Sequence, residues 1–321
     1  MKEQNLLKKG IAWFIKYHKQ WLGFIVLSVA LLYAYITVLF ETKELLLDIV
    51  YAILFIFLLV GLFHAIKNES IRIKTSSFDF LDLLMVIVGV FATYSIVHFF
   101  ELSIVLASCL IGLFGHFLAR KYEAAIYCGS FAGMVSVILF GFFEVLVLAL
   151  ICAFIYILTK PLLSGYGGKL GAIAFMSSLI VHSLFSDGFL VVESNLHLGL
   201  LLVTTTIGVV FTFYLQHYFK FTPVFASAIL SFFFALIFIY LIPSHLDYVI
   251  VFFSASFIGM SSKERIPHFI FVILSGLILG FIYYIFIRYF NGLGGKLGLI
   301  ALISVIITSG ISKLFVKNRL I

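Results

Sequence analysis

The sequence predicts an all-α, polytopic integral membrane protein of about 12 transmembrane helices, in which two N-terminal helices precede a 5+5 inverted-topology repeat. The chain is 64% hydrophobic and 11% charged, with a mean hydropathy of +1.23, whereas soluble domains carry about 25% charged residues. Its apolar runs have about the length that crosses ~30 Å of hydrocarbon. Several motifs also recur in the same order in two parts of the chain. Lipid is therefore the expected solvent for most of the surface.

The predicted spans follow one another along the chain with only short polar connections between them. No connection is long enough to form a soluble domain, so any function is expected within the bundle. Cys109, Cys128 and Cys152 all fall inside apolar runs without a C-x-x-C pair, which argues against a disulfide framework or a metal site. The spans are predicted over residues 20–40, 45–66, 79–100, 103–118, 122–140, 142–160, 169–187, 195–218, 222–242, 246–262, 266–288 and 296–315.

The chain divides into four predicted parts. Residues 1–19 mix lysines with large apolar side chains, a pattern typical of a helix lying in the membrane interface. An ordinary positive flank that fixes orientation explains the same residues equally well. Residues 20–78 hold two additional transmembrane helices, residues 79–187 form the first repeat and residues 195–321 form the second.

The distribution of positive charge predicts the orientation. If the N-terminus is cytoplasmic and the spans alternate, all but three of the 21 lysines and arginines fall on the cytoplasmic side. The exceptions are Lys43, Arg288 and Lys296. This is the positive-inside pattern, and it predicts a cell-membrane protein, such as one of a cell inner membrane, with both termini cytoplasmic. The basic balance therefore reflects topology, and nucleic acid is not an expected partner.

Three sequence blocks support an internal duplication. Residues 88–110 align without gaps on residues 207–229 at an offset of 119. GSFAGMVS, beginning at residue 129, then matches ASFIGMSS at an offset of 126, and GGKLG recurs at an offset of 127. Similar composition alone would not preserve this order and spacing, so the sequence predicts two copies of one unit.

Each predicted copy contains five spans, and five is an odd number. Consecutive copies must then have opposite orientations in the membrane, with a solute site expected between them near mid-depth. In topology alone the chain resembles the five-plus-five inverted-repeat families, ammonium and urea channels among them. The duplicated His98 and His217 are not given the role of the twin histidines of ammonium channels, because here they lie at span ends.

The strongest candidate site is the repeated GGKLG motif. The glycine pair permits a tight turn and a close approach of ligand to backbone, and helical periodicity resumes after each lysine. A lysine at a helix N-terminus is electrostatically unfavourable by roughly 0.3–1 kcal/mol, which indicates compensation by a bound anion. Two such helix starts could meet at mid-depth. The candidate residues are Gly167, Gly168, Lys169, Gly294, Gly295 and Lys296.

A purely structural interpretation of this motif is equally well founded. The glycines would make turns and helix contacts, while the lysines would extend toward lipid headgroups. The repeated SFxGM block has the same two interpretations, since small residues favour close helix packing but a serine and a phenylalanine could line a pathway. The candidates in this block are Ser130, Phe131, Ser256 and Phe257.

His98 and His217 are the third pair of candidates, as interfacial residues, as pathway mouths or as proton acceptors. His116 and His182, nearer to span interiors, are further candidate proton carriers. The acidic residues lie at or near span ends, which argues against an ion-driven pump with a buried carboxylate. They are Asp48, Asp79, Asp82, Glu144, Asp187, Glu193 and Asp247.

The favoured function is a transporter, permease or channel for a small solute, with anions or neutral polar molecules slightly preferred. An intramembrane enzyme acting on a lipid-linked substrate is an alternative, but no H-E-x-x-H or G-x-S-x-G motif is present. A non-transporting membrane subunit is a second alternative. No enzyme activity, metal or cofactor is predicted, the expected partners are the bilayer and the solute, and a homo-oligomer is compatible with the pattern.

Overall fold

The computed structural model describes residues 2–41, 45–71, 79–186, 188–192 and 196–317 as a helical bundle. These residues form α-helices and short turns, with no β-strand among them. Lys43, Asp187 and Glu193, whose positions were predicted above, lie outside the described residues. The helices are α1 (Lys2–Glu41), α2 (Leu45–Ile71), α3 (Phe80–Phe100), α4 (Ile104–Leu118), α5 (Glu123–Ala132), α6 (Phe142–Thr159), α7 (Lys169–Phe185), α8 (Leu198–His217), α9 (Pro223–Leu241), α10 (Asp247–Gly259), α11 (Phe269–Phe286) and α12 (Lys296–Lys317).

Eight helices within the described residues are long and apolar enough to cross a membrane. The predicted all-helical class is confirmed, and these apolar helices support the prediction of a membrane protein. Three further apolar helices, α4, α7 and α10, are shorter. The eight segments are Trp21–Phe40, Leu47–Lys67, Phe80–Phe100, Phe142–Thr159, Leu198–His217, Pro223–Leu241, Phe269–Phe286 and Lys296–Phe315.

The predicted span at residues 122–140 is wrong as a continuous helix, because α5 ends at Ala132. Ten residues of α-helix rise about 15 Å, half the thickness of the hydrocarbon core. Residues 133–141 continue as turns rather than helix. The run stays apolar through Phe140, so hydrophobicity does not mark where the helix ends. A predicted span at residues 246–262 likewise contains only the 13 helical residues of α10.

Glycines set the close contacts of α5 with α3. A Cβ atom on Gly129 would lie 2.1 Å from the carbonyl oxygen of Val86, and one on Gly89 would lie 2.2 Å from that of Ile126. Gly259, at the end of α10, faces Thr212 of α8 at 2.4 Å by the same measure. The backbones can approach this closely only where no side chain intervenes.

Helix α1 packs against α6, and helix α2 packs against α12, through glycines. Gly61 of α2 faces the backbone of Ile306 in α12, where a Cβ atom would lie 2.2 Å from the carbonyl oxygen. Gly23 of α1 faces Leu158 at the end of α6. Helix α1 continues without a break from Lys2 to Glu41, so the predicted interfacial segment belongs to the same helix as the first span. Its position at the interface stays a prediction.

The carboxylate of Asp79 forms hydrogen bonds both with the start of α3 and with the turn before α5. Its side chain caps α3 by accepting a hydrogen bond from the Leu81 backbone N–H at 3.1 Å. Its other carboxylate oxygen accepts from Lys121 Nζ, also at 3.1 Å. The hydrogen bond from Lys121 lowers the pKa of Asp79 below its ordinary value. The pair is solvent-exposed, so it orients these ends and adds little stability.

Candidate functional site

The two glycine-lysine motifs have the same backbone geometry. Helix α7 begins at Lys169 and α12 begins at Lys296, which confirms the prediction that each lysine stands at a helix N-terminus. Gly168 and Gly295, immediately before them, have φ values of 83° and 79°. A side chain at either position would be strained in this left-handed conformation. The motif therefore requires glycine for its turn, independently of any ligand.

The two helix starts also pack directly against each other. A Cβ atom added to Gly171 would lie 2.5 Å from the Cα of Gly298, and the reverse contact has the same distance. Gly168 faces the Gly298 carbonyl oxygen at 2.4 Å, and Gly295 faces the Gly171 carbonyl oxygen at 2.2 Å. The predicted approach of two glycine-hinged helix starts is therefore present, with backbone against backbone.

Each glycine motif also contacts the short helix that lies in the other half of the chain. A Cβ atom on Gly167 would lie 2.1 Å from the carbonyl oxygen of Phe257, and one on Gly294 would lie 2.7 Å from that of Phe131. Matching backbone hydrogen bonds of 2.9 Å accompany these contacts. The donors are Ser262 N, which bonds Gly165 O, and Ser136 N, which bonds Gly292 O.

Phe131 and Phe257 form the centre of an aromatic cluster. Their ring centroids lie 4.6 Å apart, and both residues are 2% exposed. Tyr127 and Phe253 flank them, with centroid distances of 4.3 Å and 4.6 Å to the ring on their own helix. The four rings form a continuous apolar contact between α5 and α10.

The predicted serines hold these helices rather than line an open space. Ser130 and Ser256 are fully buried. Ser130 shares a hydrogen bond of 2.8 Å with Ser108, and Ser256 shares one of 2.7 Å with Ser227. Each also donates to a carbonyl of its own helix. These bonds support the packing interpretation of the SFxGM block.

A cavity of about 400 Å³ lies against the second glycine motif. The first turn of α12 forms one wall, and the rings of Phe131 and Phe257 form another. The non-helical residues 134–137 also line it, together with apolar side chains of several helices. Its polar side chains are those of Ser136, Asp247, Tyr283, Asn291 and Lys296.

Lys296 is the buried cation of this cavity. The residue is 8% exposed. Its ammonium donates to the carbonyl oxygen of Ile287 at 3.2 Å and to Asn291 Oδ1 at 2.6 Å. Both acceptors are neutral, and no carboxylate of the described residues lies within 4.0 Å of the ammonium. The cavity therefore contains a positive charge without an ion-pair partner in the described part of the chain.

Lys169, the equivalent lysine, has different surroundings. Its ammonium donates to the carbonyl oxygen of Lys160 at 2.8 Å, and it does not line the cavity. The Lys160 side chain in turn pairs with the buried carboxylate of Asp82. The prediction that both lysines face one shared pocket does not hold for this cavity, because Lys296 lines it and Lys169 does not.

The two histidines lie apart from the cavity and from each other. His98 is exposed and stacks on Tyr94, with a centroid distance of 5.7 Å. His217 is half-buried, and its Nε2 lies 3.0 Å from the carbonyl oxygen of Ser261. Their neighbours do not overlap. The structure therefore gives them no common binding site.

Sequence reasoning missed Asn291, Tyr283 and Asp247 as cavity residues. Of these three residues, Asn291 was the easiest to find from the sequence, since it is a polar residue only five positions before Lys296. It also missed a polar cluster at the end of α4, where His116 Nδ1 lies 2.7 Å from Glu123 Oε2. Thr222 donates to the same carboxylate oxygen at 3.0 Å. No group of three metal-ligating residues occurs within the described ranges.

No protein-family model, curated protein or solved structure matches the chain. Its function must therefore be inferred from the geometry of the site.

Proposed function

We propose that the protein is a membrane transporter or channel for a small solute, anionic or neutral and polar, with its pathway between two inverted repeats. The observation that carries the proposal is the cavity against the second glycine motif, lined by the buried Lys296 and by Phe131 and Phe257. Small-molecule sites are typically apolar clefts with a few placed polar groups. Solute sites of repeat-built transporters lie between the repeats and at broken helices.

The backbone supports the duplication on which this pathway depends. The described residues with positive φ fall into pairs at the offsets found in the sequence, and Gly188 alone has no counterpart among them. Chance would not distribute an uncommon conformation in this way. The pairs are Glu101 with Lys220, Leu163 with Phe290, Gly165 with Gly292, and Gly168 with Gly295.

Contacts between helix ends support twelve alternating crossings with inverted halves. Lys121 bonds Asp79, and Arg265 bonds Ser164, each joining two connections that the charge pattern assigns to the cytoplasmic side. Residues 134–137, which follow the short α5, line the cavity. Non-helical backbone at membrane depth is tolerated in such a place. A crossing can thus be completed by a short helix followed by a segment of turns.

The same assignment supports a cavity that opens on the extracytoplasmic side. Its lining includes Asn291 and Gly292 from a connection assigned to that side, and Asp247 at the N-terminal end of α10, which is assigned to the same side. At the opposite end of the glycine motifs, the Arg265 guanidinium lies 4.4 Å from the ring centroid of Tyr166. Its Nε also donates to the Ser164 carbonyl oxygen at 3.0 Å. In the proposed function these contacts close the cytoplasmic end.

Solute flux into proteoliposomes tests the proposal, with Lys296→Met as the decisive variant. The solutes are chloride, acetate, urea and glycerol, and empty liposomes give the background. Losing one charge-assisted hydrogen bond costs about 1.5–3 kcal/mol, so flux of the transported solute is expected to fall roughly tenfold or more.

Lys169→Met is the matched control, because it removes the equivalent charge from a lysine that does not line the cavity. It is expected to retain most of the flux. Equal loss in the two variants, or wild-type flux at background for every solute, would contradict the proposal. Gel filtration of each purified variant establishes that it is folded.

A further inference from the structure

We propose that the cavity binds a monoanion with an apolar body, of the class of small monocarboxylates, with its charge at Lys296. This inference rests on the proposed function and names the chemistry of its solute. Three features of the cavity support this ligand class: the buried charge, the helix end beside that charge, and the apolar walls.

A positive charge at Lys296 favours an anionic ligand. An ammonium has three N–H donors, and the described acceptors, Ile287 O and Asn291 Oδ1, take two of them. Both acceptors are neutral, so they do not balance the charge of this buried side chain. Asp247, the described acid among the lining residues, is exposed and forms no ion pair with Lys296. A carboxylate from a ligand would supply the missing acceptor and the balancing charge.

The start of α12 adds to the attraction. Gly295, Lys296, Leu297 and Gly298 all line the cavity, so the first turn of this helix faces the space beside the ammonium. Backbone N–H groups of a first turn lack intrahelical acceptors, and their combined dipole favours a negative group. The helix dipole and the lysine charge thus favour a negative group in the same cavity.

The remaining walls select against a second charge. Phe131 and Phe257 line the cavity, and most other lining residues are aliphatic. Lys296 is the cationic residue among them, so a dianion would keep one charge unbalanced in apolar surroundings. A ring or short alkyl chain would instead exclude water from these walls, worth roughly 25 cal/mol per Å² of apolar surface buried. The cavity volume of about 400 Å³ lies in the range of small-molecule sites.

Binding of benzoate and benzamide to the purified protein in detergent tests the inference by isothermal titration calorimetry. The two probes share shape and ring but differ in charge, so the comparison needs no variant. Benzoate is expected to bind at least about tenfold more tightly than benzamide. Lys296→Gln is expected to abolish this preference, while Lys169→Gln is expected to keep it.

Three results would overturn the inference: equal affinity for the two probes, no binding of either, or an unchanged preference in Lys296→Gln. Lys296→Arg keeps the charge but changes the side chain. Its thermal unfolding shows whether a change of this side chain impairs folding, which separates loss of binding from loss of folding. If benzoate does not bind but flux of another solute depends on Lys296, the carboxylate inference fails and the proposed function stands. If benzoate binds through Lys296 but no solute crosses the membrane, the carboxylate inference stands and the proposed function fails.

Discussion

Gly168→Ala is expected to prevent stable folding. The new Cβ atom would lie 2.4 Å from the Gly298 carbonyl oxygen and 2.5 Å from the Leu302 backbone nitrogen, distances that no real Cβ contact tolerates. The residue would also keep a φ of 83°. Left-handed backbone costs a non-glycine residue roughly 1–2 kcal/mol, and overpacking typically adds 1–3 kcal/mol. The variant is measured by its yield of monodisperse protein on gel filtration and by its thermal unfolding midpoint in detergent.

Gly188→Ala separates the two contributions. Gly188 has a similar φ of 75°, but nothing lies within 4 Å of the position of an added Cβ atom. Only the backbone cost applies there, so a small fall in the unfolding midpoint is expected. Equal destabilisation of the two variants would show that the contact between the helix starts contributes nothing beyond backbone strain.

Lys160→Ile is expected to destabilise the protein by roughly 3–5 kcal/mol, because it leaves a buried charge without its partner. Asp82 is 3% exposed and pairs with the Lys160 ammonium. Asp82→Leu is expected to cost less, since the Lys160 side chain is 35% exposed and can turn to water. The free energy of unfolding in a mixed-detergent titration measures both variants.

The double variant Lys160→Ile with Asp82→Leu provides the decisive comparison. The positions 127 and 119 residues further on carry Ile287 and Leu201, so the chain itself contains an apolar version of this pair. Replacing a buried ion pair by apolar residues is often neutral or stabilising. The double variant is therefore expected to recover most of the stability lost by Lys160→Ile. A loss equal to the sum of the two single variants would refute the pairing.

The sequence was sufficient to predict the helical membrane class and the local form of the glycine motifs. Both follow from composition and from residues close together in the chain, such as Gly168 before Lys169. The end of α5 was not predictable in the same way. Met134 to Phe140 are as apolar as the helix before them, so their departure from helical structure depends on what packs around them.

The difference between the two lysines depends on still more distant residues. Lys169 and Lys296 have nearly identical local sequences, yet only Lys296 lines the cavity. Asn291 accompanies Lys296, whereas the corresponding position 127 residues earlier is a serine, Ser164, whose carbonyl oxygen bonds Arg265. Such pairings across the chain give the two lysines different surroundings, and a linear pattern does not contain them.

The contact between Gly171 and Gly298 has an evolutionary consequence. The backbone of each glycine is the nearest obstacle to a side chain on the other. The same close contact therefore restricts both positions to glycine. A side chain at either position meets a backbone Cα atom of the partner, and no substitution of the partner can remove that atom. Equivalent positions of the two repeats, such as Lys160 and Ile287, have diverged. We expect Gly171 and Gly298 not to diverge in this way, so both should remain glycine in orthologues even where the flanking positions differ.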